Sequence, residues 1–328
     1  MLILTASDIK QSFSMKDAIQ ADKEALGLYT EGKAIVPLRT NLPVDAYNGQ
    51  SLYMPAVVSG KQVASGLKVV SVYPENPKKN LPSVPASVMT LDAETGLPSA
   101  LLEGTYLTQL RTGAVQGAAT DLLARKDAKI GALIGTGGQA ESQLEAMLTA
   151  RDLEEVRVYA LDFDVTKAFA EKMTDKFNKP IHACQTAQEA VEGADVITTV
   201  TTSKQATFDD AWIKPGAHIN GIGSYTPEMC EIPVATIKRA DKIFFDTLDG
   251  VWGEAGDFIQ PLNKGEIKED DVTGELGALV NGQVTGRQSD DEITIFKSVG
   301  SAVLDVYVAD QIVRAAKKKG LGQSVNLD

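Results

Sequence analysis

At 328 residues, 43% hydrophobic and 23% charged, the chain has the makeup of a folded protein long enough for two domains, which excludes a disordered segment. A formal net charge of −12 argues against nucleic acid as a partner, because such binders gather basic surface against phosphates. No run reaches the roughly 18 consecutive apolar residues of a membrane span.

The start, MLILTASDIK, turns polar too soon for a secretory leader. Cys184 and Cys230 lie far apart without metal-ligand spacing, so a reducing, cytoplasmic setting without structural metal is expected. His182 and His218 are the only histidines, which leaves neither a His-based metal site nor a Ser-His-Asp triad. Both read as structural residues.

In chain order, Ser7 and Asp8 offer N-caps for a short first helix. A second is expected from about Met15 to Glu31, burying Ala18, Ala21, Ala25, Leu28 and Tyr29. Short strands separated by Gly, Pro and Asn follow: IVPLRT, SLYMPAVV, ASGLKVVSVYP, ASVMTLDA and LPSALLEG, with DAETG at 92–96 as a hairpin turn between the last two. This part reads as an α+β unit. A helix from Tyr106 to about Arg125 then buries Leu107, Leu110, Ala114, Ala118 and Leu122 on one side.

Beyond it, KIGALIGTGGQAESQLEAMLTA at 129–150 joins an apolar strand to a glycine turn and a helical pattern. Gly135, Gly137 and Gly138 form the turn; Gly135 permits its tightness, Gly137 lets backbone approach a pyrophosphate, and Ala140 takes the small-residue position where helix packs on strand. A strand over Val156 to Leu161 ends at Asp162, about 20 residues past the motif, where an acid either accepts from an adenosine ribose or stands solvated at the strand end. DVITTV, HINGIG, KIFFDT and EITIFKSVG continue the strands, with helices between, and a long helix with Lys317, Lys318 and Lys319 at its end closes the chain. This rhythm predicts an α/β protein: a Rossmann-type doubly wound parallel sheet over 116–304, plus a discontinuous α+β substrate and dimerisation domain from 1–115 and 305–328.

Ligands of such sheets bind at the carboxyl ends of the strands, so the remaining chemistry is expected from the other domain. Arg39 in IVPLRTNLP, Lys68 in SGLKVVSVYP and Arg111 in LTQLRTGAVQG are cations in unusually apolar settings, which invites a small anion such as a carboxylate. Taken singly, each could also pair with a nearby acid or snorkel.

The residues GLK at 66–68, LPSVPASVMTLDAETGLPSALLEGTYLTQLRTGA at 81–114, GTGGQA at 135–140, TTVTTSK at 198–204, WIKPGAHINGIGS at 212–224 and GRQSDDEITIFKSVGSAVLD at 286–305 resemble the ornithine cyclodeaminase and mu-crystallin family over nearly the whole chain. The resemblance implies a homodimer that uses NAD or NADP on small amino and imino acids. It implies catalytic roles for Lys68, Arg39, Arg111 and Ser224, with Arg39, Arg111, Lys68 and Met54 holding the substrate. It further implies cofactor contacts from Thr112, Gly135, Gly137, Gly138, Gln139, Ala140, Asp162, Thr201, Thr202, Ser298 and Val299.

Departures from the family pattern narrow the expectation. Cyclodeaminases carry an aspartate where this chain has Ser224, and no acid accompanies Met54 and Pro55, so nothing evident would receive ornithine's amines. A cyclic ketimine reductase, acting on Δ1-pyrroline-2-carboxylate to give L-proline, is therefore expected ahead of an ornithine cyclodeaminase, an alanine dehydrogenase or a non-catalytic, mu-crystallin-like binder. With no Arg or Lys between Ala160 and Thr166, NAD is expected over NADP.

Overall fold

The structure is a computed structural model and describes residues 1–326. The chain divides into two compact units: Met1–Arg111 with Ser301–Asp328, and Thr112–Gly300.

The first unit contains β1 (Leu2–Leu4), α1 (Ala6–Ser12), α2 (Met15–Thr30), β2 (Ala34–Ile35), β3 (Thr40–Val44), β4 (Gly49–Ser59), β5 (Val63–Val72), β6 (Ala86–Leu91), β7 (Pro98–Glu103) and the start of α3 (Gly104–Leu123). The second holds β8 (Ile130–Ile134), α4 (Ala140–Ala150), β9 (Glu155–Tyr159), α5 (Phe163–Phe177), β10 (Ile181–Ala183), α6 (Ala187–Val191), β11 (Val196–Thr199), β12 (His218–Gly221), α7 (Val234–Arg239), β13 (Lys242–Phe245), α8 (Leu248–Glu254), α9 (Gly256–Asn263), β14 (Gly274–Glu275), α10 (Leu276–Val280) and β15 (Thr294–Lys297). The chain then returns to the first unit with α11 (Ala302–Lys319) and β16 (Gln323–Ser324).

The first unit's sheet runs β16-β1-β7-β6-β5-β4-β2, with β3 also paired to β4. Period-two alternation buries Met54, Ala56 and Val58 of β4 and Ala64, Gly66, Lys68 and Val70 of β5, and α11 packs on both strands. Lys68 therefore shares the inward parity of an apolar set; a one-residue slip of β5 would turn it outward. Helix α2 packs along α11, its start fixed by a capping box between Ser14 and Asp17.

In the second unit the order is β10-β9-β8-β11-β12-β15-β13-β14, every pairing parallel. Apolar side chains alternate between two cores. Leu133, Val156, Val158 and Val196 meet Leu144, Met147, Ala170 and Met173 on one face, while Ala132, Ile134, Ile197, Ile219 and Ile295 meet Val251 and Phe258 on the other. Burial on both faces is what selects the continuous apolar strands.

Several local expectations change. Helix α1 is capped by Thr5, with Asp8 as its N3 partner, because β1 ends just before it. Of IVPLRT only Ile35, at the end of β2, and Thr40, which opens β3, pair with β4, since Pro37 cannot donate to a ladder. Leu26 is buried where Leu28 and Tyr29 are only half-buried, and α3 is buried on every side from Leu110 to Thr120 rather than along one stripe. Strand β9 stops at Tyr159, whose carbonyl accepts the Gly135 N–H at 2.8 Å, and Leu161 is 97% exposed. His182 is exposed on β10, whereas His218 is fully buried between Thr294 and Asn220, and burial pushes its pKa down to about 3.

Candidate active site

In the first unit, Asp305 stands near the start of α11, fully buried. Its two carboxylate oxygens each take one cation: Lys68 Nζ at 2.5 Å and Arg111 Nε at 2.8 Å. Burial would raise the Asp305 pKa, but Arg111 and then Lys68 outweigh it and hold the group below the usual carboxylate range. Lys68 is itself 1% exposed. Desolvation brings its pKa down to about 7, with Asp305 opposing the shift and Arg111 and Arg39 adding to it. The half-buried Arg39, between β2 and β3, thus belongs to the same electrostatic cluster. Met54 lies opposite Lys68 in the β4–β5 register, also buried. Lys68 and Arg111 share the Asp305 carboxylate, and Nη1 of Arg111 has no hydrogen-bond partner among the described residues. Such a cluster is suited to an incoming carboxylate.

In the second unit, the glycine turn joins β8 to α4. Gly135 has φ +109°, and a Cβ there would lie 2.7 Å from the Val200 carbonyl oxygen, so no other residue fits without strain. Gly137 and Gly138 face open space. Among the described residues no side chain caps α4 and the Gln139 amide oxygen has no hydrogen-bond partner; Ala140 is fully buried against the sheet. An uncapped helix start beside bare backbone is what a pyrophosphate requires. Asp162 caps α5 by accepting the Val165 N–H at 3.1 Å.

The loops after the next strands are held by acids that the sequence reading missed. The buried Glu231 carboxylate accepts the N–H of Thr201 (2.5 Å), Gly223 (2.7 Å) and Ser224 (2.9 Å), linking the ends of β11 and β12. Asp257 accepts the N–H groups of Glu231 and Ile232 and pairs with buried Lys297 at 3.0 Å. Asp246 accepts from Ser298 Oγ (2.6 Å), Val299 N (3.0 Å) and Gly300 N (2.8 Å), fixing the turn after β15. Thr202 is exposed beside the half-buried Thr201, and the Thr112 hydroxyl is buried without a hydrogen-bond partner among the described residues. Ser224 is fully buried and donates its hydroxyl to the Met229 carbonyl at 2.9 Å. Its hydroxyl is therefore committed to backbone.

The signal for Asp305 was present: a single acid in the apolar helical run SAVLDVYVA. Asp246, Glu231 and Asp257 are less conspicuous, because most of the backbone N–H groups they hold lie from 7 to 54 residues away in sequence.

A parallel nucleotide-binding sheet with a glycine cradle, joined in one chain to a buried Lys-Arg-Asp cluster, defines a dehydrogenase-like α/β enzyme. The chain belongs to the ornithine cyclodeaminase/mu-crystallin family, whose sequence profile matches residues 1–320. It is 39% identical over 325 residues to a Δ1-pyrroline-2-carboxylate reductase of Bacillus cereus, covering 99% of each chain. It is 37% identical over 324 residues to an alanine dehydrogenase of Archaeoglobus fulgidus, covering 99% of this chain and 98% of the relative. The fold matches Thermococcus litoralis Δ1-pyrroline-2-carboxylate reductase, solved with NADH and L-proline, with a TM-score of 0.94 and 41% identity over 99% of this chain and 100% of the other. It also matches an archaeal alanine dehydrogenase dimer with bound NAD, with a TM-score of 0.91 and 36% identity over 100% of this chain and 99% of the other.

Proposed function

We propose that the protein is an NAD(H)-dependent reductase of small cyclic α-imino acids, converting Δ1-pyrroline-2-carboxylate to L-proline. The observation that carries this reading is the buried Lys68–Asp305–Arg111 cluster, in a chain 39% identical to a reductase of that substrate. Arg111 and Arg39 hold the carboxylate. Lys68, with a pKa near 7, gives its proton to the ring nitrogen. Gly135, Gly137, Gly138, Gln139 and Ala140 would hold the dinucleotide's pyrophosphate, with Thr112, Thr201, Thr202, Ser298 and Val299 along the rest of the cofactor and Asp162 at the ribose. When bound, the nicotinamide supplies the hydride for the C=N carbon. The absence of any Arg or Lys from Ala160 to Thr166 supports NAD over NADP. Ser224, bonded to backbone, supports a reaction that needs no acid at that position.

NADH oxidation with Δ1-pyrroline-2-carboxylate tests the reading; no turnover with either nicotinamide cofactor overturns it. L-alanine oxidation tests the second reading, favoured by the resemblance to the Archaeoglobus enzyme.

Two further results are expected. The ammonium form of Lys68 is the proton donor, so kcat/KM for imine reduction falls as pH rises through about 7, while L-proline oxidation rises over the same range. A bound substrate carboxylate favours the ammonium, so the limb for kcat lies at higher pH than that for kcat/KM. Initial rates in both directions across pH check this, and a flat profile would exclude Lys68 as donor. Gly135→Ala, whose Cβ would meet the Val200 carbonyl, is expected to weaken NADH binding by about tenfold or more, read by NADH fluorescence titration.

The segment from Ile35 to Tyr53 leaves Ile35, Leu38, Leu42, Tyr47 and Tyr53 exposed, which supports a homodimer formed through the first unit. Light scattering on wild type and on Leu38→Glu with Tyr47→Glu checks it; a monomeric wild type would refute it.

A further inference from the structure

In the nucleotide-binding sheet, ordered β10-β9-β8-β11-β12-β15, the strand order reverses between β8 and β11. A sheet of this kind is built from two mononucleotide-binding halves that divide at the reversal, so the adenosine half of a dinucleotide belongs over β8, β9 and β10 and the nicotinamide half over β11, β12 and β15. The last ladder pair of β11 and β12 is Thr199 with Gly221. Beyond it both chains continue as loops, the first of which carries Thr201 and Thr202.

Past the ladder, three backbone N–H groups converge on one side chain. Glu231 is fully buried; its Oε1 accepts from Thr201 N at 2.5 Å, and its Oε2 from Gly223 N at 2.7 Å and Ser224 N at 2.9 Å. The fit is close, since a Cβ on Gly223 would lie 2.1 Å from the Thr201 carbonyl oxygen and 2.7 Å from Glu231 Oε1. Glu231 is itself fixed, because Asp257 of α9 accepts its N–H at 2.6 Å and pairs with Lys297 of β15. The far end of the β11 loop is tied to the same segment: Thr207 N donates to the Glu231 carbonyl and Cys230 N to the Ser203 carbonyl, both at 2.8 Å.

We propose that Glu231 is a positioning residue for the cofactor: it holds the loops after β11 and β12, before the cofactor arrives, in the arrangement that receives the nicotinamide half, and it leaves capture of the adenosine half unchanged. Loops ordered in advance remove an entropic cost from binding, whereas loose loops lower the affinity by the fraction of molecules in the competent arrangement. The inference rests on the reading of Thr201 and Thr202 as cofactor contacts, not on which imine is reduced.

Glu231→Gln tests it. The side chain keeps its shape, but its NH2 group faces an N–H that the carboxylate accepts, leaving buried donors without an acceptor. Titration calorimetry uses two probes: NADH, and ADP, which carries only the adenosine half and its phosphates. The variant is expected to bind NADH about 10- to 100-fold more weakly than wild type, the equivalent of one charged hydrogen bond, while its affinity for ADP is unchanged. An equal loss for both probes would show that Glu231 supports the sheet as a whole, and an unchanged NADH affinity that it positions nothing; either overturns the proposal. A wild type that binds no NADH would instead remove the cofactor reading beneath it.

Should Glu231→Gln fail to fold, hydrogen exchange of the wild type decides. Without cofactor, the amides of Thr201, Gly223 and Ser224 are expected to exchange as slowly as those of β11 and β12. Free exchange at these positions until NADH is added would mean that the cofactor orders the loops, and the proposal falls.

Discussion

Replacing Lys68 with methionine is expected to lower kcat for imine reduction by about 10²- to 10⁴-fold, the range in which a positioned proton donor contributes. Methionine keeps the stem's apolar contacts on the inner face of β5 beside Ala64 and Val70, so the loss reports the ammonium rather than the packing. The substitution leaves Asp305 paired with Arg111 alone. NADH binding should persist, because the glycine cradle lies in the other compact unit. Stopped-flow hydride transfer together with NADH fluorescence checks both halves, and a variant that retains wild-type kcat would show that Lys68 only holds charge.

The second large effect is expected at Arg111. Arg111→Lys keeps a charge for Asp305 but loses the planar fork, so KM for the imine should rise by about 10- to 100-fold, the equivalent of one charged hydrogen bond, with kcat less affected. Arg111→Ala should do more. It removes one partner of a fully buried carboxylate, a change that typically costs about 3–5 kcal/mol of stability. Thermal melts of both variants separate the two consequences: a lysine variant with raised KM and a near-wild-type melting temperature, beside an alanine variant that melts far lower. An unchanged kcat/KM in Arg111→Lys would refute the clamp.

The expectations fared best where one local pattern decides the outcome. The parallel sheet was legible because strands buried on both faces must be continuously apolar, and the glycine turn because Gly135 and its neighbours combine strand, turn and helix within 22 residues. Lys68 and Arg111 stood out as charges in apolar runs. Their counter-ion did not, since Asp305 lies 194 positions after Arg111 and reaches it only when α11 folds back on β5. Asp246, Glu231 and Asp257 escaped notice for a related reason: an acid that anchors backbone amides looks, in sequence, like any solvated carboxylate. Ser224 stands out in sequence as the replacement for an aspartate, but its bond to the Met229 carbonyl is seen only in the fold. At the N-terminus the cap is Thr5 rather than the expected Ser7 or Asp8, because the three-residue strand β1 is too short to give a period that would mark where the helix begins.

The return of the chain to its first unit orders events on the ribosome. Residues 112–300 are contiguous and can collapse as they emerge, whereas the earlier-made strand unit waits for its closing helix until the whole second unit has been made. Until then Lys68 and Arg111 are held without Asp305. A nascent chain halted before residue 300 is thus expected to contain a protease-resistant nucleotide-binding core and a cleavable N-terminal third.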